Sequence, residues 1–349
     1  MNIAVVVAAL AASLVLASAA SAAQRTACSP PPLTPCMDAQ CKAGLDEMAG
    51  NVVEPKSGRS YFLDAPCGLK PGEKVLFILN LHGAGLSGAW QRRYFPVASL
   101  KDRLRLVVAT PTAATKVVIN EGSPGARLWQ ADTDDAYLHD IVDQVFARYG
   151  SHIRSFWLAG HSYGGMTANR LVCDGFFAGK VDGWLSLSGG RIGPAQVPPG
   201  FGPAKPIASG RGALPEGIRP GAARTPDCDF SYIFETGEKE LVSLPSTSPW
   251  ADRFGCRARI RREDVVDDKP GLVAEARPGR EDPAFGRAAR PGRAQVFVWS
   301  GCRDGRLVAD VVRIDKGHTE GLEPRVTEAL VRLMQSAPSR RDARVRRPS

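Results

Sequence analysis

The chain has 349 residues and a formal net charge of +9 at pH 7, from 45 Lys and Arg against 36 Asp and Glu. Hydrophobic residues make up 44%, enough for one large domain with a buried core. No aromatic-interleaved basic patch accompanies the charge, which excludes nucleic acid as the expected partner. Past the first two dozen residues no run is apolar enough to span a bilayer, which excludes stable membrane insertion of the rest of the chain.

The chain opens on "MNIAVVVAALAASLVLASAASAAQ", apolar and then small, with an A-x-A site at Ala20-Ser21-Ala22. This reads as a signal peptide over residues 1–23 and predicts a secreted or periplasmic protein. All eight cysteines (Cys28, Cys36, Cys41, Cys67, Cys173, Cys228, Cys256 and Cys302) follow it. An even number behind a signal peptide predicts disulfides. No C-x-x-C pair or suitably spaced histidine points to a metal, and no cofactor is expected. Residues 24–58 read as a Cys/Pro-rich, cross-linked extension. Residues 59–338 read as the main domain, and 339–349 as a basic, disordered tail with five arginines.

Within the domain, "RSYFLD" (59–64) and "KVLFILNLHG" (74–83) read as strands joined through a turn at Pro71-Gly72. "LRLVVATP" (104–111) is the next strand. "DDAYLHDIVDQVFARYG" (134–150) has helical apolar spacing, an acidic first turn and a closing glycine. Then come strand 155–160, helix 162–177 and strand 182–190. The Gly/Pro-rich stretch 191–227 is hard to make regular. "FSYIFETG" (230–237) reads as a strand and "SPWADRFGC" (248–256) as a short helix. After a second irregular stretch, 267–293, "AQVFVWSG" and "LVADVVRID" read as a hairpin around Cys302 to Gly305. "EPRVTEALVRLMQ" (323–335) is the last helix. Strands alternating with helices predict an α/β fold, with a mostly parallel sheet covered on both faces.

In such sheets, chemistry collects where loops leave the carboxyl ends of strands. "LAGHSYGG" places Ser162 in G-x-S-x-G between a strand and a helix, the setting of a nucleophile elbow. The N–H of Tyr163 heads the following helix and would point at a developing oxyanion. His82-Gly83-Ala84 follows the strand "VLFILN" and can offer a second N–H, from Gly83 or Ala84.

The base must be one of five histidines. His139 lies within a helix, His152 precedes its strand, His82 belongs to the oxyanion loop, and His161 points away before the nucleophile. That leaves His318, between the last strand and the last helix. The acid should follow the strand 230–237, where Glu235, Glu238 and Glu240 are available, and it would orient the imidazole.

These pieces resemble the secreted polyhydroxybutyrate depolymerase and feruloyl esterase group of α/β-hydrolases. The resemblance runs from about Tyr61 to Gln335 and rests on "LHGAG", "WQADTDDAYLHDIVDQVFARYG", "LAGHSYGGMTANRL", "SPWADRFGC" and "GCRDGRLVADVVRIDKGHTEG". It implies an α/β-hydrolase fold with Gly/Pro-rich insertions near the site. It also implies a serine esterase without a cofactor, Trp129 and Trp250 at the substrate pocket, and a Cys256–Cys302 bridge.

The chain departs from the group's pattern in two places. The acid segment usually reads H-G-x-x-D-x-x-V, whereas here it runs from Phe234 to Leu241 with glutamates, of which Glu238 is favoured over Glu240. The histidine segment usually reads G-G-H-T-W-P-G, and here Glu320 stands in place of the tryptophan. The expected function is hydrolysis of carboxylic esters through an acyl-enzyme. The expected substrates are polyester or hydroxyalkanoate esters, or feruloyl or acetyl polysaccharide esters. Two alternatives are a serine peptidase of prolyl-oligopeptidase type and a non-catalytic binding protein on a decayed hydrolase scaffold.

Overall fold

The structure is a computed structural model that describes residues 27–28, 30–114, 116–117, 126–189, 226–241, 244, 246–274 and 283–341. The expected signal peptide, most of the first Gly/Pro-rich insertion and residues 342–349 of the tail lie outside the described residues. In chain order the elements are helix α1 (Ala39–Glu47), strands β1 (Val52–Val53), β2 (Ser60–Asp64) and β3 (Val75–Leu81), and helices α2 (Gly88–Tyr94) and α3 (Lys101–Leu104). Strands β4 (Leu106–Pro111), β5 (Lys116–Val117) and β6 (Ala126–Arg127) lead to α4 (Ala131–Tyr149). Then come β7 (Ile153–His161), α5 (Tyr163–Leu171), β8 (Gly183–Leu187), β9 (Ser231–Gly237) and α6 (Pro249–Arg253). The chain continues through β10 (Arg259–Arg261), β11 (Val265–Val266), β12 (Arg293–Trp299), β13 (Val308–Arg313) and α7 (Pro324–Ser336).

An 11-stranded sheet runs in the order β1-β2-β4-β3-β7-β8-β9-β13-β12-β10, with β11 also paired to β12. The steps from β4 through β3, β7, β8 and β9 to β13 are parallel. Strands β1, β2, β10, β11 and β12 join antiparallel. This is an α/β-hydrolase fold. β2 and β3 are consecutive in the chain but β4 lies between them, because β2 pairs with β4. The expected hairpin of β12 and β13 is present, with Ala294 opposite Arg313.

Alternation along the central strands fills two cores at once. Phe77, Leu79, Phe156 and Leu158 face one side, against Tyr137, Leu138, Ile141, Val142 and Val145 of α4. Leu76, Ile78, Trp157 and Ala159 face the other, with Val326, Leu330, Val331 and Met334 of α7. Each helix buries one stripe at 3.6-residue spacing, as its sequence pattern requires.

Four disulfides join Cys28–Cys67, Cys36–Cys41, Cys173–Cys228 and Cys256–Cys302. The last is the bridge implied by the resemblance. No described helix is long and apolar enough to cross a membrane. The start of the basic tail is built into the domain, contrary to its reading as disordered from 339 onward. Arg340 N–H donates to Asp182 Oδ1 at 2.7 Å, and Arg341 Nη1 donates to Asp182 Oδ2 at 3.0 Å. Asp182 is fully buried, and these donors compensate a carboxylate that would otherwise be stranded.

Candidate active site

Parallel strands β3, β7, β8, β9 and β13 deliver His82, Ser162, Ser188, Glu240 and His318 to one edge of the sheet. At the end of β7 the chain turns sharply into α5. Ser162, the N-cap, sits at φ 50 and ψ −118, a conformation unusual for a residue with a side chain. The turn leaves no room beside it. A Cβ on Gly160 would lie 2.3 Å from the Gly164 carbonyl carbon, and one on Gly164 would lie 2.4 Å from the Leu81 oxygen. The turn is pinned by Ser162 N–H to Leu187 O at 2.8 Å and by Gly165 N–H to Ser162 O at 2.9 Å. These contacts give the G-x-S-x-G spacing its physical reason.

Ser162 Oγ lies 2.9 Å from His318 Nε2, and His318 Nδ1 lies 2.6 Å from Glu240 Oε2. Glu240, not Glu238, therefore faces the imidazole, which corrects the preference drawn from the sequence. After Gly237 the chain makes a 3-10 turn over Glu238–Glu240. The carboxylate three residues on folds back, so that Glu240 Oε1 accepts the Gly237 N–H at 2.9 Å. The same oxygen accepts from Ser188 Oγ at 2.7 Å and Thr236 Oγ1 at 3.2 Å. Glu238 is exposed and accepts the Asp315 N–H at 2.9 Å. Burial alone would raise the pKa of Glu240, but His318 and the donated hydrogen bonds outweigh it and hold the carboxyl below its ordinary value.

The loop after β3 lies against the elbow. Gly83 is buried, and a Cβ placed on it would sit 3.2 Å from Ser162 Cβ, whereas Ala84 is exposed. His82 is fully buried and its pKa is pushed down to about 4, chiefly by burial, so it is neutral at pH 7. Its Nε2 accepts the Ala113 N–H at 2.9 Å, which fixes the proton on Nδ1, and Nδ1–H donates to Gly83 O at 2.7 Å.

Trp129 donates from Nε1 to His82 O at 2.8 Å and is buried behind this loop. Trp250 stacks on Phe230 at 4.3 Å, donates to the Phe230 carbonyl at 2.9 Å and is 0% exposed. Both indoles are thus core struts rather than the pocket residues that the resemblance implied. Tyr163, as expected, is the first residue of α5, where a backbone N–H has no acceptor within the helix.

Several contributors escaped the sequence reading. His161 does not simply point away. Its ring is buried 3.9 Å from Tyr94, and its Nε2 lies 2.9 Å from the backbone oxygen of His318. Burial drives its pKa well down, so the neutral ring donates to that oxygen. Tyr94 OH donates to the same oxygen at 3.3 Å. Ser188, at φ 48, aims its hydroxyl at Glu240. Its only signal in the sequence was a serine at a strand end before Gly189. Glu320, in place of the expected tryptophan, is buried and ion-paired with Arg290 at 2.8 Å. Its Oε1 accepts the Gly317 N–H at 3.1 Å, bracing the histidine loop. His139 stacks on Phe176 and His152 bonds the Glu73 carbonyl, both away from the serine, as elimination expected.

No protein-family model matches the chain, and no curated protein matches it in sequence. Solved structures with a similar fold include an acetyl xylan esterase from Aspergillus awamori, 12% identical, with TM-score 0.43, covering 78% of this chain and 94% of that one. A propionate-bound esterase, Est2 from Thermogutta terrifontis, is 14% identical, with TM-score 0.32, covering 53% of this chain and 70% of its own. A carboxylesterase from Bacillus cereus is 14% identical, with TM-score 0.28, covering 53% and 73%. At these scores none of them assigns a residue or an activity to this chain.

Proposed function

We propose that the protein is an exported serine esterase that hydrolyses carboxylic esters through an acyl-enzyme. The observation that carries this reading is the unbroken chain from Ser162 Oγ through His318 to Glu240, at 2.9 and 2.6 Å. The same intact chain argues against a decayed scaffold.

Ser162 Oγ attacks the ester carbonyl while His318 Nε2 takes its proton. Glu240 holds the Nδ1–H and stabilises the imidazolium without taking the proton itself. The N–H groups of Tyr163 and of Gly83 or Ala84 receive the oxyanion, each worth ~3 kcal/mol in the transition state. His318 then returns the proton to the departing alcohol, and water attacks the acyl-enzyme by the same route. The resemblance noted in the sequence supplies the substrate classes proposed: polyester or hydroxyalkanoate esters, and feruloyl or acetyl esters of polysaccharide. The predicted signal peptide and the four disulfides support export.

The test is fluorophosphonate labelling together with a panel of esters of graded acyl size. Wild type is expected to label and turn over. Ser162→Ala should lose the label and at least about 10³-fold in kcat while keeping its melting temperature. A folded wild type that neither labels nor hydrolyses any ester overturns the reading.

A further inference from the structure

Residues 283–290 form a strap that is fastened to the loop carrying His318. His318 N–H donates to Ala284 O at 2.9 Å, and Thr319 donates to Phe285 O from its N–H at 2.8 Å and from its hydroxyl at 3.1 Å. Arg287 N–H donates to Glu320 Oε1 at 3.2 Å, and Arg290 pairs with Glu320 at 2.8 Å and with Asp315 at 3.2 Å. These bonds fix the half-buried Phe285 ring 6.3 Å from the His318 imidazole, inclined at 40°.

We propose that Phe285 is the wall against which the alcohol half of the ester lies, so that the site favours alcohols bearing an aryl ring over short linear ones. The proposal rests on the esterase reading and follows from where protons must go. The leaving oxygen has to come within about 3 Å of His318 Nε2 to receive its proton. The group attached to that oxygen is then held on the histidine side of the site, within reach of the Phe285 ring. The acyl half is placed instead by Ser162 and by the N–H groups of Tyr163 and the Gly83-Ala84 loop. An aromatic face prefers an aromatic partner, by stacking or edge contact, to a short flexible alkyl chain.

The experiment compares benzyl acetate with ethyl acetate on wild type, Phe285→Ala and Phe285→Tyr. Both esters give the same acetyl-enzyme, so only acylation can distinguish them. In Phe285→Ala, kcat/KM for benzyl acetate is expected to fall about fivefold or more, and that for ethyl acetate less than about twofold. Phe285→Tyr should restore the benzyl preference, and the ratio of kcat/KM for ethyl butyrate to that for ethyl acetate should match wild type in every variant. An equal fall for both esters overturns the proposal and leaves Phe285 a structural residue. A changed butyrate-to-acetate ratio also overturns it, by placing the ring on the acyl side. A wild type that fails to turn over either ester and fails to label with fluorophosphonate overturns the esterase reading and the proposal together.

Discussion

At the scale of single residues, two glutamates two positions apart have opposite fates. Glu240 is 7% exposed, and its two oxygens share a histidine, two hydroxyls and a backbone N–H, whereas Glu238 is exposed on the far side of the same turn. Replacing Glu240 by Gln should leave the fold intact but lower kcat by about 10³ to 10⁴, because the imidazole loses its orientation and its counter-charge. Glu238→Gln should stay within a few-fold of wild type. Comparing the two variants' steady-state kinetics checks the assignment, and equal losses would refute it. The spacing that distinguishes them was present in the sequence. A carboxylate three residues after Gly237 can fold back onto that residue's N–H, and only Glu240 meets that requirement. Trp129 and Trp250 misled for the opposite reason. A large aromatic beside a motif signals burial as readily as substrate contact, and each indole N–H is spent on a core carbonyl.

At the scale of elements, the strands were legible because a sheet covered on both faces needs continuous apolar runs, as in "VLFIL" of β3 and "FWLA" of β7. Helix α2 was not legible, because Arg92 and Arg93 interrupt its apolar pattern. Both are nonetheless buried, Arg92 against Asp64 at 2.7 Å and Arg93 against the Thr34 carbonyl at 2.8 Å. Strands β10 and β11 were missed because arginine-rich or two-residue edge strands carry no period. The loop after β3 makes a prediction about pH through His82. This group titrates in the folded state near pH 4 and in the unfolded chain near its ordinary value of 6.5. Between those values the unfolded chain binds the extra proton, so stability is full above about pH 6.5 and is lost as pH falls toward 4. The contribution lost between pH 7 and 4.5 is about 2–3 kcal/mol. Urea unfolding of wild type and His82→Gln at the two pH values should show the variant losing less by that amount, since the carboxylates affect both alike. Identical losses would exclude His82 as the source.

At the scale of the whole molecule, the site occupies one edge of the sheet, and the contacts of the tail occupy the opposite one, where Asp182 precedes β8. Asp182 also accepts the Phe156 N–H at 2.9 Å, so three segments meet on one buried carboxylate. Truncation after residue 338 removes the bonds of Arg340 and Arg341 to Asp182, together with those of Arg340 to the Val181 and Asp229 carbonyls, and should cost about 3–5 kcal/mol. It should lower the thermal midpoint by several degrees while leaving kcat unchanged at a temperature where the shortened chain is folded. An unchanged midpoint would show that these contacts contribute nothing net. The charge pattern of the tail suggested a solvated segment, and nothing local in "SRRD" reveals a partner more than 150 residues away.

The backbone around Ser162 also sets what mutation can and cannot undo. The atoms that a Cβ on Gly160 or Gly164 would strike belong to main chain, so no change of side chain elsewhere can clear the space. A Cβ on Gly83 would instead meet the His161 ring at 2.7 Å, an obstacle that a second substitution can remove, and Ser162 Cβ at 3.2 Å, which a shift of a few tenths of an ångström relieves. Suppressor screens should therefore rescue Gly83→Ala and never Gly160→Ala. A lineage that abandoned hydrolysis would keep both elbow glycines for as long as it kept the sheet, while Ser162, Glu240 and His318 drifted. In any descendant of this chain, the glycines attest to the fold, and only Ser162, Glu240 and His318 attest to the chemistry.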